Sequence, residues 1–411
     1  MNVKNLLSVT FILSALSTTA QDANRTYAIT GNGANDFMWM NIRQVDITTG
    51  KIVKDIYQYN KTASVMTDAV TKKPATQVNE MFGPGPTASM VAAAAYDKVH
   101  DKLFFTPMRI GELRWLDLSA KGDIPHFYTV QSNLLNPGNL QDEANHITRM
   151  VINADGNGYA ITNDANHLIR FTTGKKITIT DLGNIIDADG SQGISIHNKC
   201  SSWGGDMIAD AYNKLYVISA SHNVFVVDVA TRIATFKGTI LGLPGTYTTN
   251  GAAVDAEGKI VVSSANSFGG YYKFDLADMK ATLIEGSDKI YNASDLANGN
   301  LLYQKEADMA RNMGTPALPK INNLVADTRV FPNPVTANEF RVSFDGLGAG
   351  DYKIALTDLS GRAIMNRQVN ITGKAQVERV QILSKIAKGM YFVKVTNGTG
   401  QQVFIEKIAV Q

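Results

Sequence analysis

The sequence predicts an all-β protein made of two folded units. Strand-like segments rich in β-branched and aromatic residues recur between about residues 22 and 310, the strand pattern stops over 306–327, and it restarts with a different rhythm after 328. The length of 411 residues suits more than one domain. With 18% charged residues and a formal net charge of +2, the composition indicates neither disorder nor a nucleic-acid partner.

The first twenty residues are laid out like a cleavable secretory signal peptide. Lys4 gives a short basic start, residues 6–16 form an apolar run, and the small residues Thr18 and Ala20 follow. The run is shorter than the roughly 20 residues that span a bilayer, so a membrane anchor is the less favoured alternative. We therefore expect residues 1–20 to be removed and the mature chain to have no transmembrane segment.

A single cysteine, Cys200, is present in the sequence, so no intramolecular disulfide can form. Stability must then come from a large hydrophobic core. No flanking motif marks a nucleophile, and we expect this thiol to be a small buried side chain.

The region 21–310 repeats a unit of four strands. The clearest copy comprises Met207–Asp210, Lys214–Ser219, Val224–Asp228 and Ala234–Lys237. The first turn of four copies begins at an aspartate, namely Asp97, Asp155, Asp210 and Asp255. This spacing predicts the blades of a β-propeller. We expect the aspartates to shape tight turns and not to bind calcium.

The two ends of the repeated region complement each other. The C-terminal hairpin 293–303 repeats the first half of the unit, and residues 27–56 resemble its later strands. We expect both to share one blade, because closing the ring removes exposed sheet edges. A β-sandwich is the less favoured alternative, since sandwiches do not require so regular a repeat.

The number of blades is five or six. Length at roughly 50 residues per repeat predicts nearly six, whereas the recognisable hairpins give five, and we favour six. The long irregular segments 61–90, 131–146 and 184–205 either conceal a weak blade or form loops stacked over one face.

Residues 311–327 are predicted to be a linker, and 328–411 a small β-sandwich of short alternating strands separated by Gly-containing turns. Four of its segments resemble the type A C-terminal sorting domain of type IX secretion: Val330–Val335, Leu356–Arg362, Leu383–Tyr391 and Glu406–Val410. The motif residues are Pro332, Asn333, Pro334, Gly361, Gly389, Tyr391 and Lys407.

The resemblance to this sorting family has several implications. It implies an Ig-like sandwich that is recognised by the outer-membrane secretion machinery and removed by a surface sortase. The protein would then pass through the periplasm and be secreted or held at the outer cell surface. A sorting domain is an address, so any activity must lie in the region 21–310.

Ligand-binding residues of a propeller are expected where loops lead into the innermost strands at one end of the central channel. This geometry selects Arg149, Trp203, Asp206, Asn250 and Asp295. Charged groups beside an aromatic ring would suit a carbohydrate or a peptide. The alternative is that these residues cap strands and fill the channel.

Contiguous catalytic signatures are missing, because the sequence has no HExxH, GxSxG or P-loop motif. We therefore favour a non-enzymatic binding module without a cofactor. The alternative is an extracellular metal-dependent hydrolase or lactonase acting at the channel, in which Asp206 and Asp295 would hold a cation such as calcium.

Overall fold

A computed structural model describes residues 25–411 except 34, 76–82, 136–137, 140, 190, 192, 288–290, 315–327, 345–346, 359–361, 374, 383–385 and 401. The predicted signal peptide lies outside the described residues. The chain divides into two compact units, Met1–Gly314 and Thr315–Gln411. Within the described part of the chain, no helix has both the length and the apolar character needed to cross a membrane.

The described part of the first unit contains five β-sheets. The first sheet joins β1 (Arg25–Thr30), β2 (Asn41–Asp46) and β3 (Lys51–Tyr57) to β22 (Ala293–Asn298). The second contains β4 (Val65–Asp68), β5 (Val91–Asp97), β6 (Lys102–Pro107), β7 (Glu112–Asp117) and β8 (His126–Gln131). The third contains β9 (Ile147–Ile152), β10 (Gly158–Thr162), β11 (Leu168–Phe171) and β12 (Ile179–Asp181).

The remaining two sheets follow in chain order. The fourth contains β13 (Ile186–Asp187), β14 (Asp206–Ala209), β15 (Lys214–Ile218), β16 (Asn223–Asp228) and β17 (Ile233–Thr239). The fifth contains β18 (Gly251–Val254), β19 (Ile260–Ser263), β20 (Tyr272–Phe274) and β21 (Thr282–Leu283). Short 3₁₀ helices span Asn133–Leu135 and Glu143–Asn145, and two α-helices span Lys199–Ser202 (α1) and Gln304–Gly314 (α2).

The innermost strands of these sheets form a closed, propeller-like ring. In order they are β22, β5, β9, β14 and β18; each contacts the next, and β18 contacts β22. One apolar cluster lies between each sheet and its neighbour. Strands buried on both faces explain the long apolar runs in the sequence. Each fully buried large apolar side chain contributes about 1.5–3 kcal/mol to stability.

The ring closes as the repeat pattern predicted. Strand β22 pairs antiparallel with β1, with Thr26 opposite Asn298, so the C-terminal hairpin and the N-terminal strands share a sheet. The aligned aspartates shape turns as expected: Asp210 Oδ1 accepts from the amides of Tyr212 and Lys214 at 2.8 and 2.9 Å. Asp255 makes the equivalent pair of bonds at its own turn.

The described residues of the first unit form five sheets, so the sixth blade that we favoured is not found there. Two of the long segments that suggested a sixth blade supply edge strands instead, and segment 131–146 contains the two short 3₁₀ helices. Segment 61–90 supplies β4, which runs parallel to β8, and segment 184–205 supplies β13, which runs parallel to β17. Each therefore covers the outer edge of a neighbouring sheet, which lengthens the average repeat without adding a blade.

Two smaller expectations also change. Cys200 is exposed on α1, because α1 is a single turn on the surface and not a core element. Residues 311–314, at the start of the predicted linker, continue helix α2. The other residues of that linker, up to 327, lie outside the described part of the chain.

The described part of the second unit contains two sheets that share one apolar core. One joins β23 (Arg329–Phe331), β24 (Glu339–Phe344) and β27 (Gln376–Gln381). The other joins β25 (Gly350–Thr357), β26 (Ala363–Ile371), β28 (Gly389–Asn397) and β29 (Gln402–Val410). Alternate residues of each strand point into the core, as in Phe340, Val342 and Phe344 of β24. An Ig-like topology stays a prediction.

Candidate functional site

A cavity of about 750 Å³ lies where the inner strands begin, and we call this end of the ring the front face and the cavity the front cavity. Met90 directly precedes β5, Thr148 lies near the start of β9, and Asn250 directly precedes β18. Three blades therefore contribute residues from the starts of their inner strands. The lining also includes Trp39, Ser89, Met108, Arg109, His146 and Asn163.

Trp39 supplies a fixed aromatic surface to the front cavity. It lies on the connection between β1 and β2, and its indole nitrogen donates to the carbonyl of Ala265 at 3.2 Å. The same carbonyl accepts a short hydrogen bond from the side chain of Asn292. The indole ring is thus held in place by the loop that follows β19 before any ligand arrives.

Several polar groups of the front cavity have unused hydrogen-bonding capacity. The Ser89 hydroxyl is buried and has no hydrogen-bond partner among the described residues. Asn250 Oδ1 accepts from the Ala265 amide at 3.1 Å, and Asn163 Oδ1 accepts from the Gly204 amide at 2.6 Å. The side-chain nitrogens of both asparagines donate no bond within the described part of the chain. These groups can hydrogen-bond a ligand.

Backbone strain also occurs at the front cavity. Met90 and Arg109 have φ angles of 66° and 62°, in the left-handed region that non-glycine residues rarely adopt. The cost is roughly 1–2 kcal/mol per residue. The Met108 amide donates to the Met90 carbonyl at 2.9 Å and ties the two strained turns together. Such strain is concentrated at functional sites in many proteins.

Asp206 begins the inner strand β14 and is fully buried. Its Oδ1 accepts from the Met207 amide at 2.7 Å, and Oδ2 accepts from the amides of Ala252 at 2.6 Å and Leu296 at 3.5 Å. These amides belong to three different inner strands, whose channel-facing edges have no strand partner in the described residues. Asp206 therefore satisfies donors that the ring geometry would leave unpaired.

Asp295 is the buried neighbour of Asp206. Burial raises the pKa of both carboxyl groups well above the ordinary aspartate range, and the charge of Asp206 raises the pKa of Asp295 further. By distance and angle the Asp295 oxygens have no hydrogen-bond partner in the described residues. A proton on Asp295 removes the repulsion between the two groups. Among the described residues, no group of three or more His, Cys, Asp or Glu side chains could hold a metal ion.

Arg149 is also completely buried, and its guanidinium binds backbone carbonyls. It donates to Gly204 at 3.0 Å and Thr162 at 3.4 Å, and also to Ser202. Burial lowers its pKa to about 10, while Asp164 and Asp206 act in the opposite direction. The group stays charged at neutral pH and fixes the loops before β14 and after β10.

Trp203 is half-buried beside α1. Its indole nitrogen donates to the His197 carbonyl at 3.0 Å, and the Lys199 ammonium lies 5.0 Å from the ring centre. It does not line the front cavity. Its contacts are those of an ordered loop.

Of the five residues selected from the sequence, the front cavity includes Asn250 alone. Arg149, Asp206 and Asp295 are fully buried and do not line it, and their binding of a ligand stays a prediction. Sequence reasoning missed Ser89, although Ser89 lies two positions before β5, in a loop that leads into an innermost strand like the residues that were selected. The sequence position of Trp39 did not indicate a site residue, because Trp39 lies between β1 and β2 and does not precede an innermost strand.

Several sorting motif residues lie close to one another, because the start of β28 pairs with the end of β29, with Tyr391 opposite Ile408. Asn333 Nδ2 donates to the Lys407 carbonyl at 2.9 Å, and its Oδ1 accepts from the Ala409 amide at 3.0 Å. The Tyr391 hydroxyl donates to the Ala387 carbonyl at 2.7 Å, and its ring is buried in the core. Pro332 and Pro334 flank Asn333, Gly389 begins β28, and Gly361 lies outside the described residues.

Residues 329–411 match the family described as the secretion system C-terminal sorting domain. This region is a type IX sorting domain. The protein is accordingly handled by the type IX secretion machinery and reaches the cell surface or the medium. The match covers the second unit, and the first unit has no identified family. No curated protein matches the chain.

Similar solved structures include PorZ of Porphyromonas gingivalis, described as an essential surface component of the type IX secretion system, with a TM-score of 0.33 and 14% identity over 94% of this chain. The chain spans about half of PorZ, 51%. A streptogramin B lyase has a TM-score of 0.33 and 12% identity over 64% of this chain and 82% of its own. The virginiamycin B lyase of Staphylococcus aureus has a TM-score of 0.31 and 12% identity over 96% and 97%. Similarity at this level supports no inference about function.

Proposed function

We propose that this protein is an exported, non-enzymatic binding protein that holds a carbohydrate in its front cavity. The observation that supports this most is the set of unused hydrogen-bonding groups on Ser89, Asn163 and Asn250 beside the fixed ring of Trp39. Sugars present hydroxyl groups that both donate and accept, and apolar C–H faces that pack on aromatic rings. A cavity with convergent amide and hydroxyl groups suits that chemistry.

The contacts of Asp206 favour a non-enzymatic binding function over the metal-dependent hydrolase activity that was the alternative from the sequence. Its two oxygens accept from three backbone amides, so a cation would have to compete with bonds that join three strands. The raised pKa of Asp206 and Asp295 also disfavours the ionised form that calcium requires. Among the described residues that line the front cavity, Glu143 is the one carboxylate, and its Oε2 lies 3.4 Å from Lys199 Nζ. A pair of carboxyl groups that could share acid and base roles is not found among these lining residues.

The test measures the binding of neutral oligosaccharides and of short peptides to residues 21–411 by titration calorimetry. We expect an oligosaccharide to bind, and the Ser89→Ala variant to bind it about fivefold more weakly, since one hydrogen bond is worth on the order of 1 kcal/mol. Because the Ser89 hydroxyl has no partner in the described residues, its removal should leave the melting temperature equal or slightly higher.

Thr357→Val is the matched control, since this hydroxyl is likewise buried without a partner but belongs to the sorting domain. It should leave sugar binding unchanged. Binding of peptides alone, or equal sugar affinity in the Ser89→Ala variant and the parent, would overturn the proposal.

A further inference from the structure

A second cavity, of about 270 Å³, lies at the opposite end of the ring, where the inner strands end; we call it the back cavity. Asp97 ends β5, Asn153 directly follows β9, and Gly299 directly follows β22. Helix α2 contributes Arg311 to the same wall. Its size is at the small end of the roughly 300–1,000 Å³ typical of small-molecule sites.

The side chain of Asn153 has a hydrogen-bond donor without a partner in the back cavity. Its Oδ1 accepts from the Ala154 amide at 2.8 Å, which fixes the orientation of the amide group. Its Nδ2 is buried and has no partner among the described residues, and the residue is 4% exposed. An unpaired buried donor costs about 1–3 kcal/mol, a cost that an acceptor on a ligand would remove.

The carboxylate of Asp97, which also lines the back cavity, already has hydrogen-bond partners. Asp97 Oδ1 accepts from the Val99 amide at 2.9 Å, and Oδ2 lies 2.6 Å from His100 Nδ1. The Asp97 carboxyl group is 3% exposed. Its charge is therefore committed to its own turn and to His100, and it does not offer a free acceptor to a ligand.

Two cationic side chains, Lys98 and Arg311, line the back cavity together with Asn153. Lys98 forms no ion pair within the described residues, and the stem of its side chain packs against Gly299, where a Cβ would lie 2.7 Å from Lys98 Cδ. Arg311 lies 3.5 Å from Asp308 on its own helix, a pair that is mostly exposed. The back cavity is thus rich in donors and positive charge, and Ile152 and Leu301 add an apolar surface.

We propose that the back cavity binds a small amphipathic carboxylate, independently of the sugar site at the front face. One carboxylate oxygen accepts from Asn153 Nδ2, and Lys98 compensates the negative charge. The apolar part of the ligand packs against Ile152 and Leu301. Charge-assisted hydrogen bonds of this kind are about twice as strong as neutral ones. Gly299 is required because any larger residue would displace the lysine stem.

The probe is hexanoate, titrated into residues 21–411 by calorimetry, with hexanamide as the uncharged analogue. We expect hexanoate to bind and hexanamide to bind at least tenfold more weakly. Lys98→Gln should weaken hexanoate binding at least tenfold because it removes the unpaired charge. Asn153→Asp should do the same, because it keeps the acceptor for Ala154 and replaces the donor with a carboxylate oxygen.

Lys305→Gln is the matched control, since Lys305 is an exposed lysine on α2 that does not line the cavity. It should leave the affinity for hexanoate unchanged, and Lys98→Gln, an exposed substitution, should leave the melting temperature unchanged. The proposal is overturned by failure of hexanoate to bind, by equal affinity for hexanamide, or by a loss in the Lys305→Gln variant equal to that in Lys98→Gln.

Discussion

A chain that ends at Gly314 is expected to remain in the periplasm, whereas the full chain reaches the cell surface or the medium. The first unit ends at that residue, and the type IX sorting domain occupies 329–411, so the truncation removes the address and leaves the ring. The measurement is the fraction of the protein in periplasmic, surface and medium fractions of a type IX-competent host. We expect loss of nearly all export.

A substitution inside the sorting domain provides a finer version of this experiment. Asn333→Ala removes the two side-chain hydrogen bonds of Asn333 to the final strand, at Lys407 and Ala409. It should reduce export, whereas Val377→Thr, at an exposed position of β27, should not. Normal export of the truncated chain would show that the sorting domain is not the required signal.

Asp206→Ala is expected to destabilise the first unit by roughly 3 kcal/mol, because amides on three inner strands lose their acceptor. The change leaves buried donors without an acceptor at the channel-facing edges of the ring. The measurement is the free energy of unfolding of the variant and of the parent, from urea titrations. A variant as stable as the parent, with ligand binding lost, would instead make Asp206 a binding residue.

Asp295→Asn is the matched control, and we expect it to raise the free energy of unfolding where Asp206→Ala lowers it. The pKa of Asp295 is raised in the folded chain, so above about pH 4 the folded state holds more protons than the unfolded state. The Asp295 carboxyl group therefore destabilises the fold progressively as pH rises through its raised pKa, by up to about 1.4 kcal/mol per pH unit. An asparagine removes this term, and because it is neutral it also removes the repulsion with Asp206. We expect equal stability near pH 4 and higher stability than the parent at pH 7.

The repeat pattern was sufficient to predict the ring and its closure, because strand periodicity and turn aspartates such as Asp210 are local features of the sequence. The count of sheets was not predictable in the same way. Whether a long connection adds a blade or only an edge strand, as β4 and β13 do, depends on pairing between distant segments. Length per repeat carries no information about that choice.

The candidate site was harder to predict than the fold. A channel site is assembled from single residues on separate blades, and their roles depend on which backbone groups the ring leaves unpaired. Asp206 was selected as a ligand-binding residue, but its hydrogen bonds to strand edges appear only once three inner strands are placed together. Ser89 stood out for the converse reason: its hydroxyl is buried without a partner in the described residues.

Hydrogen–deuterium exchange of residues 21–411, with and without the oligosaccharide that binds most tightly in the titrations, tests the central claim most directly. The proposal predicts slower exchange in the front-face segments 89–91, 108–111 and 249–251, which line or adjoin the front cavity. Exchange at 97–100 and 152–154, beside the back cavity, should stay unchanged. Protection confined to the back-face segments or to 329–411 would contradict a sugar-binding site at the front of the ring.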